Sequence, residues 1–68
     1  MKTRIKEFRA REGLTQEQLA EKIGVSRQTI LYIERGQYNP SLNLVFKICK
    51  VLRCKVEELF HPSEEDLK

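Results

Sequence analysis

Apolar residues recur along this chain three and four positions apart, the spacing that places them on one face of successive helices. Ile5 and Phe8 share such a face over residues 2–12, with Lys2, Lys6 and Arg11 turned outward and Gly13 ending the helix. Leu14 then leads into a second start, where it can fold back as a staple near Leu19. Leu19, Ala20 and Ile23 make the face of the second helix, and Ile30 and Ile33 that of the third. Thr15 caps the second helix, with Gln18 three residues on to complete a capping box, and Ser26 caps the third. Between them Gly24 can take the positive φ of a tight turn, Ala20 is small where the helices cross, and Val25 can plug the corner. Residues 15–36 therefore read as a helix-turn-helix.

After Ile33 the polar run from Glu34 to Pro40 is dense in turn formers and crosses the surface as a loop. Ser41 caps the most apolar segment, Leu42–Leu52, in which only Asn43, Lys47 and Lys50 are polar. So narrow a polar stripe predicts a helix buried on most sides, the central strut of the core. Residues 56–60 predict a short fifth helix. There is no repeat, linker or low-complexity run, so residues 1–60 form one all-α domain. Residues 61–68 are a short acidic tail, frayed or making one extra turn capped by Ser63.

Composition narrows the function. Sixty-eight residues with 40% apolar content can build one small core, burying about 60% of the unfolded surface. The net charge of +3 hides an asymmetry: residues 1–55 carry twelve Lys and Arg against five Glu, and residues 56–68 carry five acids against Lys68. A basic body suits a polyanion, although a mixed solvated surface would give the same balance. No apolar run approaches a membrane span, and the charged N-terminus is unlike a signal peptide, which predicts a cytoplasmic protein. Cys49, Cys54 and His61 alone are too few for a zinc site, and no metal or cofactor is expected. Cys49 reads as a small buried hydrophobe, whereas Cys54 sits at a helix end. No catalytic constellation is present.

Residues 5–60, in particular IKEFRAREGLTQEQLAEKIGVSRQTI, the ERGQYNPSL loop, and KICKVL followed by VEELF, resemble the lambda-repressor-like or Cro-type helix-turn-helix family. The resemblance implies an all-α, five-helix DNA-binding domain with the helix-turn-helix as helices 2 and 3. Two positions depart from the family pattern. Arg53 stands where glycine commonly follows the fourth helix, so that end must use other geometry or bear strain, and Lys55 replaces a Ser or Thr cap on the last helix.

With Ile30 and Ile33 facing inward, Arg27, Gln28, Leu31 and Tyr32 face outward and would enter the major groove. Arg27 suits guanine or a phosphate, and Gln28 suits adenine. Tyr32 could meet a base edge, a thymine methyl or a phosphate. Leu31 could touch a methyl or simply lie exposed. Gln16, Thr29, Arg35, Gln37, Asn39, Ser41 and Asn43 are the expected phosphate contacts, and the resemblance implies that Gln16 also steadies Gln28. Tyr38 either covers the underside of the loop, the favoured reading, or reaches DNA. The resemblance further implies a buried ion pair between Arg9 and Glu34. Cys54, Val56, Leu59 and Phe60 are the expected dimer interface.

The function expected is therefore that of a sequence-specific transcriptional regulator, a repressor bound to a palindromic operator as a homodimer. Its partners would be double-stranded DNA and a second copy. The alternative keeps the fold but makes the chain an antitoxin that neutralises a toxin or other protein and represses its own operon. A redox or metal sensor built on Cys49 and Cys54 is a remote third.

Overall fold

A computed structural model describes residues 2–61, so the expectations for residues 62–68, Ser63 capping included, lie outside the described residues. Five helices form in the expected order: α1 (Ile5–Arg11), α2 (Gln16–Ile23), α3 (Arg27–Glu34), α4 (Leu42–Leu52) and α5 (Val56–Leu59). None of them is long and apolar enough to cross a membrane.

Each start signal acts through its side chain. Thr15 Oγ1 accepts from the Gln18 backbone N–H at 3.1 Å while Gln18 Oε1 accepts from Thr15 N–H at 2.9 Å, closing the capping box. Ser26 and Ser41 accept from the N–H groups of Thr29 and Leu44, both at 3.2 Å. Gly24 ends α2 at φ 78°, and a Cβ added there would meet nothing within 4 Å. The backbone angle, then, and not space, calls for glycine.

The helices close over one core of Ile5, Phe8, Leu19, Ala20, Ile23, Ile30, Ile33, Leu44, Ile48, Cys49, Leu52, Leu59 and Phe60, with Leu14 and Val25 packed against it. Cys49 serves as a small apolar filler. Burial first, then Cys54 and the charge of Glu57, push its thiol up to about 11, which leaves almost no thiolate near neutrality.

Two expectations require correction, and a third holds with an addition. The first helix does not begin at Lys2: Lys2–Thr3 (β1) pairs antiparallel with Phe60–His61 (β2), Thr3 opposite Phe60, and the Arg4 N–H donates to Leu59 O at 2.8 Å. Lys2 and Thr3 have no apolar side chain to add to the face of α1, and extended backbone satisfies their polar groups against Phe60–His61 instead. Arg11 is exposed as expected, with 49% of its side chain in water, and it also folds back on the domain. Its guanidinium lies 4.5 Å over the Phe8 ring and donates to the carbonyls of Leu52 and Arg53 at 2.7 and 3.2 Å, satisfying orphan carbonyls at the end of α4. Leu59 and Phe60, finally, are not free for a partner: at 0% and 6% exposure they are core residues, because α5 turns its apolar side onto α4 and β2 carries Phe60 inward. Of the expected interface, Val56 is exposed and Cys54 half-buried.

Both departures from the family pattern have structural counterparts. Lys55 has no acceptor to cap α5, and only the return half of the box forms, with Glu58 Oε1 accepting from Lys55 N–H at 2.9 Å. Arg53 sits in the left-handed region at φ 55°, ψ 51°, the one non-glycine there among the described residues.

The end of α3 is tied down by polar contacts. Arg9 of α1 grips Glu34, the last residue of α3, through Nε to Oε2 at 3.0 Å and Nη2 to Oε1 at 3.3 Å. Its Nη1 donates to Leu14 O at 3.0 Å, and Gln16 Nε2 donates to Glu34 Oε1 at 3.2 Å. Only 14% of the Arg9 side chain and 9% of that of Glu34 remain exposed.

Arg9→Ala or Glu34→Ala alone should cost about 3 kcal/mol, because the remaining charge is stranded with little water, while the apolar pair Arg9→Met with Glu34→Leu should recover much of that loss. Single losses under about 1 kcal/mol in urea unfolding would mark the pair as an ordinary surface contact. Arg53→Gly should act in the opposite direction. The left-handed conformation costs an L-residue roughly 1–2 kcal/mol, glycine's greater unfolded freedom takes back about 0.5–1, and the exposed Arg53 side chain makes only a 3.9 Å contact to Glu12. A net gain of about 0.5–1 kcal/mol is expected, and a lowered unfolding midpoint would refute it.

Candidate nucleic-acid interface

The site is built on the start of α3. Ile30 and Ile33, both fully buried, fix the rotation of this helix, so Arg27, Gln28 and Tyr32 are exposed and Leu31 is half-covered. Thr29 is half-buried, its hydroxyl 3.0 Å from Ser26 Oγ at the cap. An open cleft beside Arg27 runs along the start of α2, lined by Arg9, Leu14, Thr15 and Gln16.

The helix starts of this domain differ in charge. A helix N-terminus carries a partial positive charge and gains from Asp or Glu in its first turn. Neither α3 nor α4 has an acidic residue there, whereas α5 has two, Glu57 and Glu58. The starts of α3 and α4 are thus left open to an external anion.

After α3 the chain turns at Gly36, φ 73°, whose N–H donates to Ile33 O at 3.0 Å while that of Gln37 donates to Tyr32 O at 2.9 Å. Arg35, Gln37, Asn39, Ser41 and Asn43 are all exposed. Ser41 Oγ is used in capping, and the other four side chains make no hydrogen bond among the described residues. Tyr38 is also exposed, so it covers the loop only in part.

One implied contact is replaced. Gln16 gives its amide to Glu34, and Gln28 Nε2 donates instead to Tyr32 Oη at 2.9 Å, one helical turn on. The carboxylate of Glu34 draws Gln16 because a charged acceptor makes the stronger hydrogen bond. Sequence reading missed the Gln28–Tyr32 pair, although their separation of four on one helix face was the available signal. It also missed the apolar surface of α4, where Leu42 and Phe46 are 68% and 55% exposed.

The helix-turn-helix family profile matches residues 5–59. An HTH-type transcriptional regulator of Archaeoglobus fulgidus is 54% identical over 98% of this chain and 96% of its own length. One from Methanocaldococcus jannaschii is 57% identical over 97% of this chain and its full length. Among solved structures, SinR, the master regulator for biofilm formation, in complex with DNA superimposes with a TM-score of 0.71 at 40% identity, covering 79% of this chain and 87% of that one. Matched over nearly all of its core, and carrying an outward recognition helix behind a capped glycine turn, the chain belongs to the lambda-repressor-like helix-turn-helix family of DNA-binding transcriptional regulators.

Proposed function

We propose that the protein is a repressor that binds a palindromic operator as a homodimer and reads bases with the outer face of α3. What carries this reading is the start of α3, which presents Arg27 and Gln28 outward with no acidic residue in its first turn. Arg27 offers a fork to guanine O6 and N7, Gln28 a donor and acceptor to adenine, and Leu31 and Tyr32 apolar edges to a thymine methyl. Gln16, Thr29, Arg35, Gln37, Asn39, Ser41 and Asn43 hold phosphates and set register. Occupying the operator is itself enough to exclude other proteins from it.

For the dimer we propose Cys54 and Val56 together with Leu42 and Phe46 in place of the buried Leu59 and Phe60. Leu42, Phe46 and Cys49 follow one another at helical spacing, so the exposed stripe on α4 runs on into the core edge where α5 packs. A two-fold partner would cover this stripe and set two α3 helices about one DNA turn, roughly 10 bp, apart.

The roles of Gln28 and Arg35 can be separated experimentally. Gln28→Ala should lose about 1–3 kcal/mol on the best operator and relax one base pair per half-site, with the salt dependence unchanged. Arg35→Ala should weaken all sequences alike and lower the slope of log K against log salt by about one unit for each phosphate it no longer holds. Selection from random DNA decides the matter, and an intact base preference in Gln28→Ala would remove α3 as the reading element. For the dimer, Phe46→Glu should sediment as a folded monomer at micromolar concentration where the parent protein is a dimer. A monomeric parent that protects one unsymmetric half-site overturns the two-fold arrangement.

A further inference from the structure

The end of α4 brings its two cysteines together. Arg53, left-handed at φ 55° and ψ 51°, turns the chain back on itself, so that its own N–H and that of Cys54 both donate to Cys49 O, the latter at 3.1 Å. Such a closure from the sixth residue back to the first sets the side chains at its two ends against one another, a place usually held by an apolar pair. Here both are thiols. Cys49 is only 8% exposed and Cys54 is half-buried, so the pair is sunk into the edge of the core and opens to water on the Cys54 side. After burial, the largest influence on the ionisation of each thiol is the other one, with the Cys49 S–H as the donor of the two.

Two sulfur donors suit few metals. Structural zinc takes four ligands, and among the described residues no three His, Cys, Asp or Glu side chains gather into a group that could hold a metal. Magnesium and calcium take oxygen. A soft monovalent ion with a filled d shell, Cu(I) or Ag(I), prefers thiolate sulfur and is satisfied by two donors in line. We propose that Cys49 and Cys54 form a binding site for such a thiophilic ion, held between the two sulfurs of one chain. Each ion displaces two thiol protons to water and leaves an S–Cu–S unit with one negative charge. Arg11 lies where it can offset that charge, since its guanidinium binds the carbonyls of Leu52 and Arg53 at 2.7 and 3.2 Å and acts on the Cys54 thiol, while Glu57 and Glu58 oppose it from α5. Because burial raises both thiols, an ion that binds sulfur weakly does not displace their protons.

The test uses the full chain without oxygen, in a phosphine reductant, with Cu(I) delivered from a bicinchoninate competitor. The parent protein should draw one ion per chain from the competitor, and Cys54→Ser and Cys49→Ala should each draw none while keeping the helical circular dichroism of the parent. Cys54 reaches the surface, so its replacement spares the core even if that of Cys49 does not. The turn at Arg53 arranges the sulfurs in advance, and the folded chain should therefore bind more tightly than the unfolded one. Cu(I) buffered at about a hundred times its dissociation constant should raise the folded-to-unfolded ratio in urea by about 10- to 100-fold, and Zn(II) should leave it unchanged. An unchanged ratio with Cu(I) overturns the proposal, because the ion is then held by any two thiols on a chain and not by this turn. Uptake retained in either variant overturns it too, as does an equal response to Zn(II). Cys54 also borders the face proposed for a second copy, and half an ion per chain would place the metal between two copies, which refutes the site within one chain.

Discussion

The grip of Arg9 on Glu34 is the contact on which the orientation of α3 depends. One guanidinium meets a carboxylate on α3 and the Leu14 carbonyl before α2, and the same carboxylate takes the amide of Gln16. Three segments are thereby held to one another by directional side-chain contacts in addition to the backbone turns and apolar packing that join them. An ion pair so nearly buried adds little net stability, since desolvation offsets much of its attraction. Its contribution is orientation. On the proposed function, in which α3 places side chains against base edges, a fixed axis is worth more than another buried methylene.

The same trade appears elsewhere. The starts of α3 and α4 forgo acidic residues that would have stabilised them, and Leu42 and Phe46 stand in water at some cost in solubility. Arg53 holds a left-handed angle better suited to glycine, yet its carbonyl, with that of Leu52, receives the guanidinium of Arg11. Local stability is given up at these exposed positions, which the proposed function places against DNA or a second copy, and the core of Ile and Leu side chains carries the difference.

Local chemistry was the legible part of the sequence. Thr15 with Gln18, Ser26, Ser41 and Gly24 announce their roles within four residues, because caps and positive-φ turns are determined by neighbours. Arg9 and Glu34 lie 25 residues apart, and only the resemblance to a family brought them together. The β1–β2 pair was not legible: two residues at either end of the domain carry no strand pattern, and their pairing exists only once the helices have brought the ends together. Phe60 misled for a related reason. Its apolar side chain fits a helix face or a buried strand equally well, and its neighbours in sequence do not decide between them. In the site, outward residues on α3 followed from helical phase, but which amide bonds to which partner depends on competition among Gln16, Gln28, Tyr32 and Glu34 across two helices.

The β1–β2 clip also changes what kind of object the domain is. Most of its backbone hydrogen bonds lie within single helices and can form as soon as each segment is in place, whereas Lys2–Thr3 and Phe60–His61 can meet only after nearly all of the chain between them has been gathered in. Closing so long a loop has an entropic cost that two short strands repay only with help from Leu59 and Phe60 beneath them. The clip is therefore a late latch. When the domain breathes it should open before any helix melts, uncovering the two apolar residues it shelters, so the surface most exposed to mispairing lies where the two ends of the domain meet.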